Sequence, residues 1–233
     1  MTDTADLVIY GSPLSPFVRK VAAVCIEKDV PFEIEAVNVF DPPQWFRDIS
    51  PMKRIPVLRD RSIAAEGTGG TIADSSAICA YIERKHPEPS LYCDSAFAHG
   101  RALMIEEYAD TILAASGGIG IFRPMFFAAM KGEQPDIEKA QKTWAEDIPP
   151  ILAYLDGQLE GRTFCTGDAV SIADITIACV LMQIALVAEM ALDAYPSLEA
   201  HYKRMRQRPS IAGPYAQADA IVRKALPERF KLT

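Results

Sequence analysis

The sequence lacks the marks of a nucleic-acid-binding, secreted or metal-rich protein. Its 24 Lys and Arg are outnumbered by 31 Asp and Glu, giving a formal net charge of −7. No broad basic surface is available for phosphate backbones, which excludes nucleic acid as the main partner. The one basic run, Lys203-Arg204-Met205-Arg206-Gln207-Arg208, reads as a solvated helix face. The five cysteines, Cys25, Cys79, Cys93, Cys165 and Cys179, are odd in number, and no two are spaced C-x-x-C. That spacing excludes a paired redox motif and fits a reducing compartment. His86, His99 and His201 are scattered, so no metal cluster with ligand spacing is visible and no metal is expected. Met1 to Asp6 carries neither the basic nor the apolar part of a secretory signal, and the expected location is cytoplasmic. The apolar stretch Ile172 to Ala188 is short for a membrane span and holds Asp174 and Gln183, so it reads as a buried helix with no membrane partner.

What remains is an ordinary globular balance, with 49% apolar and 24% charged residues over 233 positions. That length suits one large or two modest domains with a core of their own. Leu7-Val8-Ile9-Tyr10 is a short apolar run stopped by Gly11, as in a buried strand. Ser15-Pro16 is a helix start: serine caps, and proline fits the first helical position, where an N–H would go unpaired anyway. Phe17, Val21, Val24 and Cys25 then share one helical face. Phe32 to Val37 reads as a second strand, completing a β-α-β unit with parallel strands. A short helix or loop over Asp41 to Ile49, a strand at Ile55-Pro56-Val57-Leu58, and a strand at Thr71-Ile72-Ala73 follow. A helix capped by Asp74-Ser75-Ser76 closes the set, and His86-Pro87-Glu88-Pro89 ends it.

Beyond that point every pattern is helical. Ala96 to Ser116 predicts a helix ended by Gly117-Gly118, and Gly117 to Gly132 reads as a loose rim. Asp136 to Glu160 predicts a helix kinked at Pro149-Pro150. Ser171 and Asp174 form a capping box, with Val170 placed to staple onto Ile175. Pro196-Ser197 and Pro209-Ser210 open two short helices. The layout is βαβ, then ββα, then roughly five helices, divided as a domain over 1–86, a linker over 87–94 and a helical domain over 95–233.

Three positions carry chemistry. Ser15 stands where a buried strand hands over to a helix N-terminus, whose free N–H groups and dipole favour an anion. A hydroxyl there can donate to a thiolate. Lowering a thiol pKa from about 8.5 to about 6.5 takes roughly 2.7 kcal/mol. One hydrogen bond to a charged group supplies about 1.5–3 kcal/mol, so a single serine covers most of it. Taken alone, Ser15 reads first as an ordinary cap. Ile55-Pro56 opens a strand with a residue that cannot donate to the ladder. A cis bond there would turn the Ile55 backbone outward toward an extended peptide ligand. Asp74-Ser75 offers a helix N-terminus for a carboxylate and an acid for an ammonium, or plain capping.

In this order the three resemble a family. Ser15-Pro16-Phe17-Val18-Arg19-Lys20-Val21, Ser50-Pro51-Met52-Lys53-Arg54-Ile55-Pro56-Val57-Leu58 and Asp74-Ser75-Ser76-Ala77-Ile78-Cys79-Ala80-Tyr81-Ile82 are similar to the glutathione-site domain of cytosolic glutathione transferases. Ser171-Ile172-Ala173-Asp174 resembles the capping box of their second domain. The resemblance spans nearly the whole chain. It implies an α/β thioredoxin-like N-terminal domain, an all-α C-terminal domain, glutathione as co-substrate and a two-fold homodimer. It implies that Ser15 activates the thiol, as in serine-type theta-, tau- or zeta-like members, with Ser12 and Tyr10 ranked behind it. Ile55 beside Pro56 would pair with the cysteinyl part, Asp74 and Ser75 would hold the γ-glutamyl end, and Lys53 would lie near the glycyl carboxylate. No cysteine stands at the activating position, which disfavours glutaredoxin-like or dehydroascorbate-reductase chemistry.

An acceptor pocket is expected between the domains, lined by Tyr108, Thr111, Ile112 and Phe122, for a hydrophobic electrophile. Tyr108, Thr111, Ile112 and Ala115 share a face by helical spacing, and such stripes also serve as plain core. The reading is a detoxifying transferase that conjugates glutathione to an apolar electrophile. Its rivals are a zeta-like cis–trans isomerase of maleyl-type acids, a glutathione peroxidase, and a non-catalytic binding module with the same fold.

Overall fold

The computed structural model describes residues 5–232, and the chain divides into two units, Met1–Ser90 and Leu91–Thr233. In the first, β1 (Leu7–Tyr10), β2 (Phe32–Glu35), β3 (Val57–Asp60) and β4 (Thr71–Ala73) form one sheet in the order β2-β1-β3-β4. β1 runs parallel to β2 and antiparallel to β3, which is antiparallel to β4. A parallel pair needs a crossover, and α1 (Pro16–Glu27) supplies it. Side chains alternate across the sheet. Val8, Tyr10 and Val57 pack with Val37 and with Phe46 and Ile49 of α2 (Gln44–Ile49). Leu7, Ile9 and Leu58, buried on the opposite face, serve the side where α1 and α3 (Ser75–Lys85) pack on the sheet and on each other. This is the expected βαβ-ββα, thioredoxin-like arrangement.

Two buried polar clusters fasten this unit. Asp60, at the end of β3, accepts hydrogen bonds from Tyr81 Oη at 2.6 Å and Ser62 N–H at 2.9 Å, and from the Ser62 hydroxyl. It also pairs with Lys85, tying the sheet to α3. Burial raises its carboxyl pKa, but the bonds from Lys85, Ser62 and Tyr81 outweigh that and bring it down to about 2. Lys28, beyond α1, pairs with Glu83 at 2.6 Å and donates to the His86 and Pro89 carbonyls at 2.8 Å. Residues 86–89 are thereby held against α1.

The second unit departs from expectation at its glycines. α4 (Ala96–Tyr108) does not stop at Gly117-Gly118. It continues through π-helical segments at Ala109–Leu113 and Ser116–Phe122 into α5 (Arg123–Met130), giving one helix of 35 residues. A glycine that ends a helix does so in the left-handed region. Gly132, with φ +73°, has that conformation just past the true end. Gly117 and Gly120 serve close packing instead. A Cβ on Gly117 would meet Ile184 Cδ1 at 2.9 Å, and one on Gly120 would meet Thr143 Cγ2 at 2.4 Å. The helix is long and apolar enough to cross a membrane by length and composition, yet this glycine-bearing face is packed against protein.

The region expected as one kinked helix is two: α6 (Ile137–Glu146) and α7 (Pro149–Leu159). Pro149 and Pro150 start the second helix, where a missing N–H costs no hydrogen bond, and do not bend the first. α8 (Ile172–Ala185) is buried at every position and is the axis of the unit. Its capping box is present: Asp174 accepts the Ser171 N–H at 2.8 Å and the Ser171 hydroxyl at 2.7 Å. α9 (Pro196–Met205) and α10 (Pro209–Ala225) open on prolines as expected, although α10 is long at 17 residues. The unit is not purely helical: β5 (Ala188–Met190) and β6 (Phe230–Leu232) form a two-stranded parallel ribbon.

Two predictions follow from these contacts. Asp60 has a folded pKa below its unfolded value, so its stabilisation is complete above about pH 4 and fades as pH falls through about 2. Asp60→Asn should flatten that acid limb and cost about 2 kcal/mol at neutral pH, measured by urea unfolding across pH. Gly120→Ala should destabilise by about 1–3 kcal/mol through overpacking. Gly118→Ala, which meets nothing within 4 Å, should be neutral or stabilising in the same assay.

Candidate functional site

The strand register assembles the site. Tyr10 pairs with Val57, and Val57 pairs with Ala73, so the three residues form one row across the sheet. β1 and β4 end at this row and β3 begins at it. The Gly11–Ser15 turn, the Ile55–Pro56 bond and Asp74-Ser75 therefore emerge together at one end of the sheet. Three segments far apart in sequence become neighbours.

The first segment is tightly specified. A Cβ on Gly11 would meet Val18 Cγ2 at 2.5 Å and lie 3.5 Å from Ile55 Cβ, so only glycine lets β1 turn directly under α1. Arg19 of α1 donates back to the Pro13 and Leu14 carbonyls at 2.9 and 3.1 Å, bracing the turn from behind. Ser15 is the N-cap of α1, and its Oγ accepts the Val18 N–H at 3.4 Å. Ser12 Oγ accepts the Leu14 N–H at 3.3 Å. Both serines are partly exposed, and each hydroxyl keeps its proton to donate. Tyr10 differs. Its ring is buried in the α2-side core, edge-on to Trp45 at 5.1 Å, and its oxygen accepts Arg59 Nε–H at 3.2 Å. The phenol points into the core, away from solvent.

The second segment is a hairpin-like loop closed by Ser50. Its hydroxyl donates to the Arg54 carbonyl at 2.9 Å and accepts the Arg54 N–H at 3.2 Å. Lys53 sits inside that loop at φ +54°, with its side chain exposed. The Ile55–Pro56 peptide bond is cis, and Pro56 is buried directly before β3. In the third segment Asp74 has φ +92° and caps α3, its carboxylate accepting the Ser76 and Ala77 N–H groups at 3.0 and 3.1 Å. Ser75 is buried beside it. Buried Lys20 of α1 donates to Ser76 Oγ at 3.1 Å and brings a cation to the same helix N-terminus. The motif quoted around Ser15 contains Lys20, but nothing local signals a contact with a residue 56 positions away.

In the helical unit the four residues expected to line an acceptor pocket differ in exposure. Tyr108 is half-buried against Tyr154, with ring centroids 4.3 Å apart, and burial followed by Tyr154 raises its phenol pKa. Ile112 and Thr111 are exposed, and the Thr111 hydroxyl turns back to the Glu107 carbonyl. Phe122 is buried, stacked on Phe126 at 5.2 Å. Two π-helical segments lie between Tyr108 and Phe122, so regular 3.6-residue spacing does not relate the two.

Among the described residues Cys165, Asp174 and His201 offer ligand atoms within 4.8 Å of one another. Asp174 is already engaged by Cys165 N–H and by His201 Nε2, each at 2.8 Å, besides Ser171. Burial raises its pKa, but the His201, Ser171 and Cys165 bonds win and hold the carboxyl below its ordinary value. Burial and then Asp174 push the Cys165 thiol well above its ordinary value. The donor set is a hydrogen-bonded cap for α8.

Comparison with known proteins bears on the family and the fold. Residues 9–90 match the family profile of the glutathione S-transferase N-terminal domain, and residues 121–217 that of the C-terminal domain. The chain is 40% identical over 180 residues to glutathione S-transferase DHAR2 of Arabidopsis thaliana, covering 77% of this chain and 70% of that one. It is 26% identical over 180 residues to human glutathione S-transferase theta-1, covering 76% and 72%. Among solved structures, a glutathione S-transferase from Rhodospirillum rubrum F11 superposes with a TM-score of 0.74 at 25% identity, covering 89% and 91%. Human glutathione-S-transferase T1-1 has the same fold, with a TM-score of 0.79 over 96% of this chain and 92% of that one. The chain belongs to the glutathione S-transferase family.

Proposed function

We propose that the chain is a glutathione transferase in which the Ser15 hydroxyl stabilises the glutathione thiolate for attack on an apolar electrophile. The observation that carries this reading is the position of Ser15: N-cap of α1, partly exposed, beside the Ile55–Pro56 bond and Asp74-Ser75 at one end of the sheet. The thiol loses its proton to solvent. The sulfur lone pair then forms a carbon–sulfur bond, and the electron pair of the broken bond leaves with the acceptor's leaving group or moves onto its conjugated system. A hydroxyl donor and the positive end of α1 both favour the anion from which attack occurs. The Gly11–Pro16 turn contains no cysteine, so the protein stabilises a bound thiolate and supplies none of its own.

The remaining subsites complete the reading. Ile55, held beside cis Pro56, presents backbone to the cysteinyl part of the tripeptide. Asp74 and Ser75 take the γ-glutamyl end, with the α3 N-terminus facing its carboxylate. Exposed Lys53 suits the glycyl carboxylate. Ser15 ranks above Ser12 because it alone caps the helix, and both rank above Tyr10, whose phenol is buried against Arg59. Exposed Met104, Ile112 and Ile119 on the long helix support an apolar acceptor.

Ser15→Ala should leave glutathione affinity near wild type and lower turnover with an aryl halide about 10–100-fold, the loss of one hydrogen bond to a charged group. Its pH–rate profile should shift to higher pH. Ser12→Ala should be mild in the same assay. Wild-type turnover in Ser15→Ala with collapse in Ser12→Ala would transfer the role to Ser12. Glutathione binding without turnover of any electrophile would favour the non-catalytic module.

A further inference from the structure

Arg59 is an anomaly in a buried strand. It lies in the interior of β3, is 4% exposed, and sits on the face that carries Val8, Tyr10 and Val57. Its guanidinium makes four hydrogen bonds, all to neutral acceptors. Nε donates to Tyr10 Oη at 3.2 Å, Nη1 to the Ala64 and Gly69 carbonyls at 3.1 and 3.0 Å, and Nη2 to the Gly67 carbonyl at 2.6 Å. Among the described residues no carboxylate pairs with it. A buried cation without a counter-charge is strongly disfavoured, and an apolar side chain of similar volume is the ordinary occupant of such a place.

What the guanidinium touches gives it a use. Tyr10 is the last residue of β1, directly before the Gly11–Ser15 turn. Ala64, Gly67 and Gly69 belong to the connection that delivers β4 and, at its end, Asp74. Arg59 itself stands on the strand that Pro56 opens. One planar fork therefore joins all three chain segments whose ends form the candidate site. Besides Arg59, the Ala64–Gly69 segment is held by the Ala64 N–H on the Asp60 carbonyl at 3.2 Å and by the Thr71 hydroxyl on the Thr68 carbonyl at 2.7 Å, while Gly67, at φ +69°, leaves its backbone free. Three of the segment's carbonyls converge on one side chain. Lysine cannot replace this pattern: its ammonium is a point donor, whereas arginine spreads five N–H groups in a fixed plane.

We propose that Arg59 is a positioning residue for the glutathione site, setting the Gly11–Ser15 turn through Tyr10 and the Asp74-Ser75 end through the Ala64–Gly69 connection. The proposal rests on the glutathione reading above. It assigns Tyr10 a role in the site as the hydroxyl through which Arg59 acts, in place of thiol activation. Its expected signature is in binding, because the γ-glutamyl end of the tripeptide loses its supported seat while Ser15 keeps its cap.

The test uses Arg59→Lys, which retains the charge and loses the fork, and Tyr10→Phe, which retains the packed ring and loses the hydroxyl. Steady-state kinetics with glutathione varied should show KM raised about tenfold in Arg59→Lys and about threefold in Tyr10→Phe, with kcat within about threefold of wild type. A merely structural role would lower the melting temperature and the active fraction without moving KM, and a wild-type KM in folded Arg59→Lys would overturn the proposal. If Arg59→Lys does not fold, a wild-type KM in Tyr10→Phe overturns it equally. Calorimetric titration of the wild-type protein with glutathione separates the two levels: no binding there sinks the site reading itself, whereas binding with unchanged variant KM sinks only the role of Arg59.

Discussion

The row Tyr10–Val57–Ala73 is the constraint on which the rest of the molecule depends. Strand pairing at that row fixes where three loops leave the sheet, and each loop is then shaped by its own local chemistry. Glycine lets the first turn close under α1, Ser50 closes the second, and Asp74 caps the third. A one-residue slip in either pairing would invert the alternation of buried faces. It would place Val8, Tyr10 and Val57 where Leu7, Ile9 and Leu58 belong. The hydrophobic core and the site are therefore specified by the same register.

Charge inside this unit is arranged to hold segments together. Asp60 joins β3 to α3, Lys28 fastens residues 86–89, Lys20 reaches α3 from α1, and Arg59 gathers the β3–β4 connection. Each of these groups is buried, and for each the named partners replace hydrogen bonds lost to water. In the helical unit the same device appears once more, in Asp174, whose four named donors anchor the start of the fully buried α8.

Much of this was legible where the chemistry is local. The strand at Leu7–Tyr10, the Ser15-Pro16 helix start, the Asp74 cap and the Ser171–Asp174 box each depend on residues within a few positions, and all are present in the structure. What escaped depends on partners distant in sequence. Gly117 reads as a breaker and Gly120 as part of a loose rim, because their reason for being small is Ile184 and Thr143, on other helices. Phe122 reads as part of a loose rim, because nothing local shows that the helix continues through two π-helical segments. The ribbon of β5 with β6 joins segments some forty residues apart, each too short to signal a strand. Arg59 carries no local signal of its role, and only the folded loop shows three carbonyls aimed at it.

The central claim concerns one atom. A crystal structure of the protein with glutathione bound tests it most directly. The account predicts the glutathione sulfur within about 3.5 Å of Ser15 Oγ, with Ile55 backbone on the cysteinyl amide and Asp74-Ser75 on the γ-glutamyl end. A sulfur beside Ser12 Oγ, or one with no hydroxyl in reach, would contradict it.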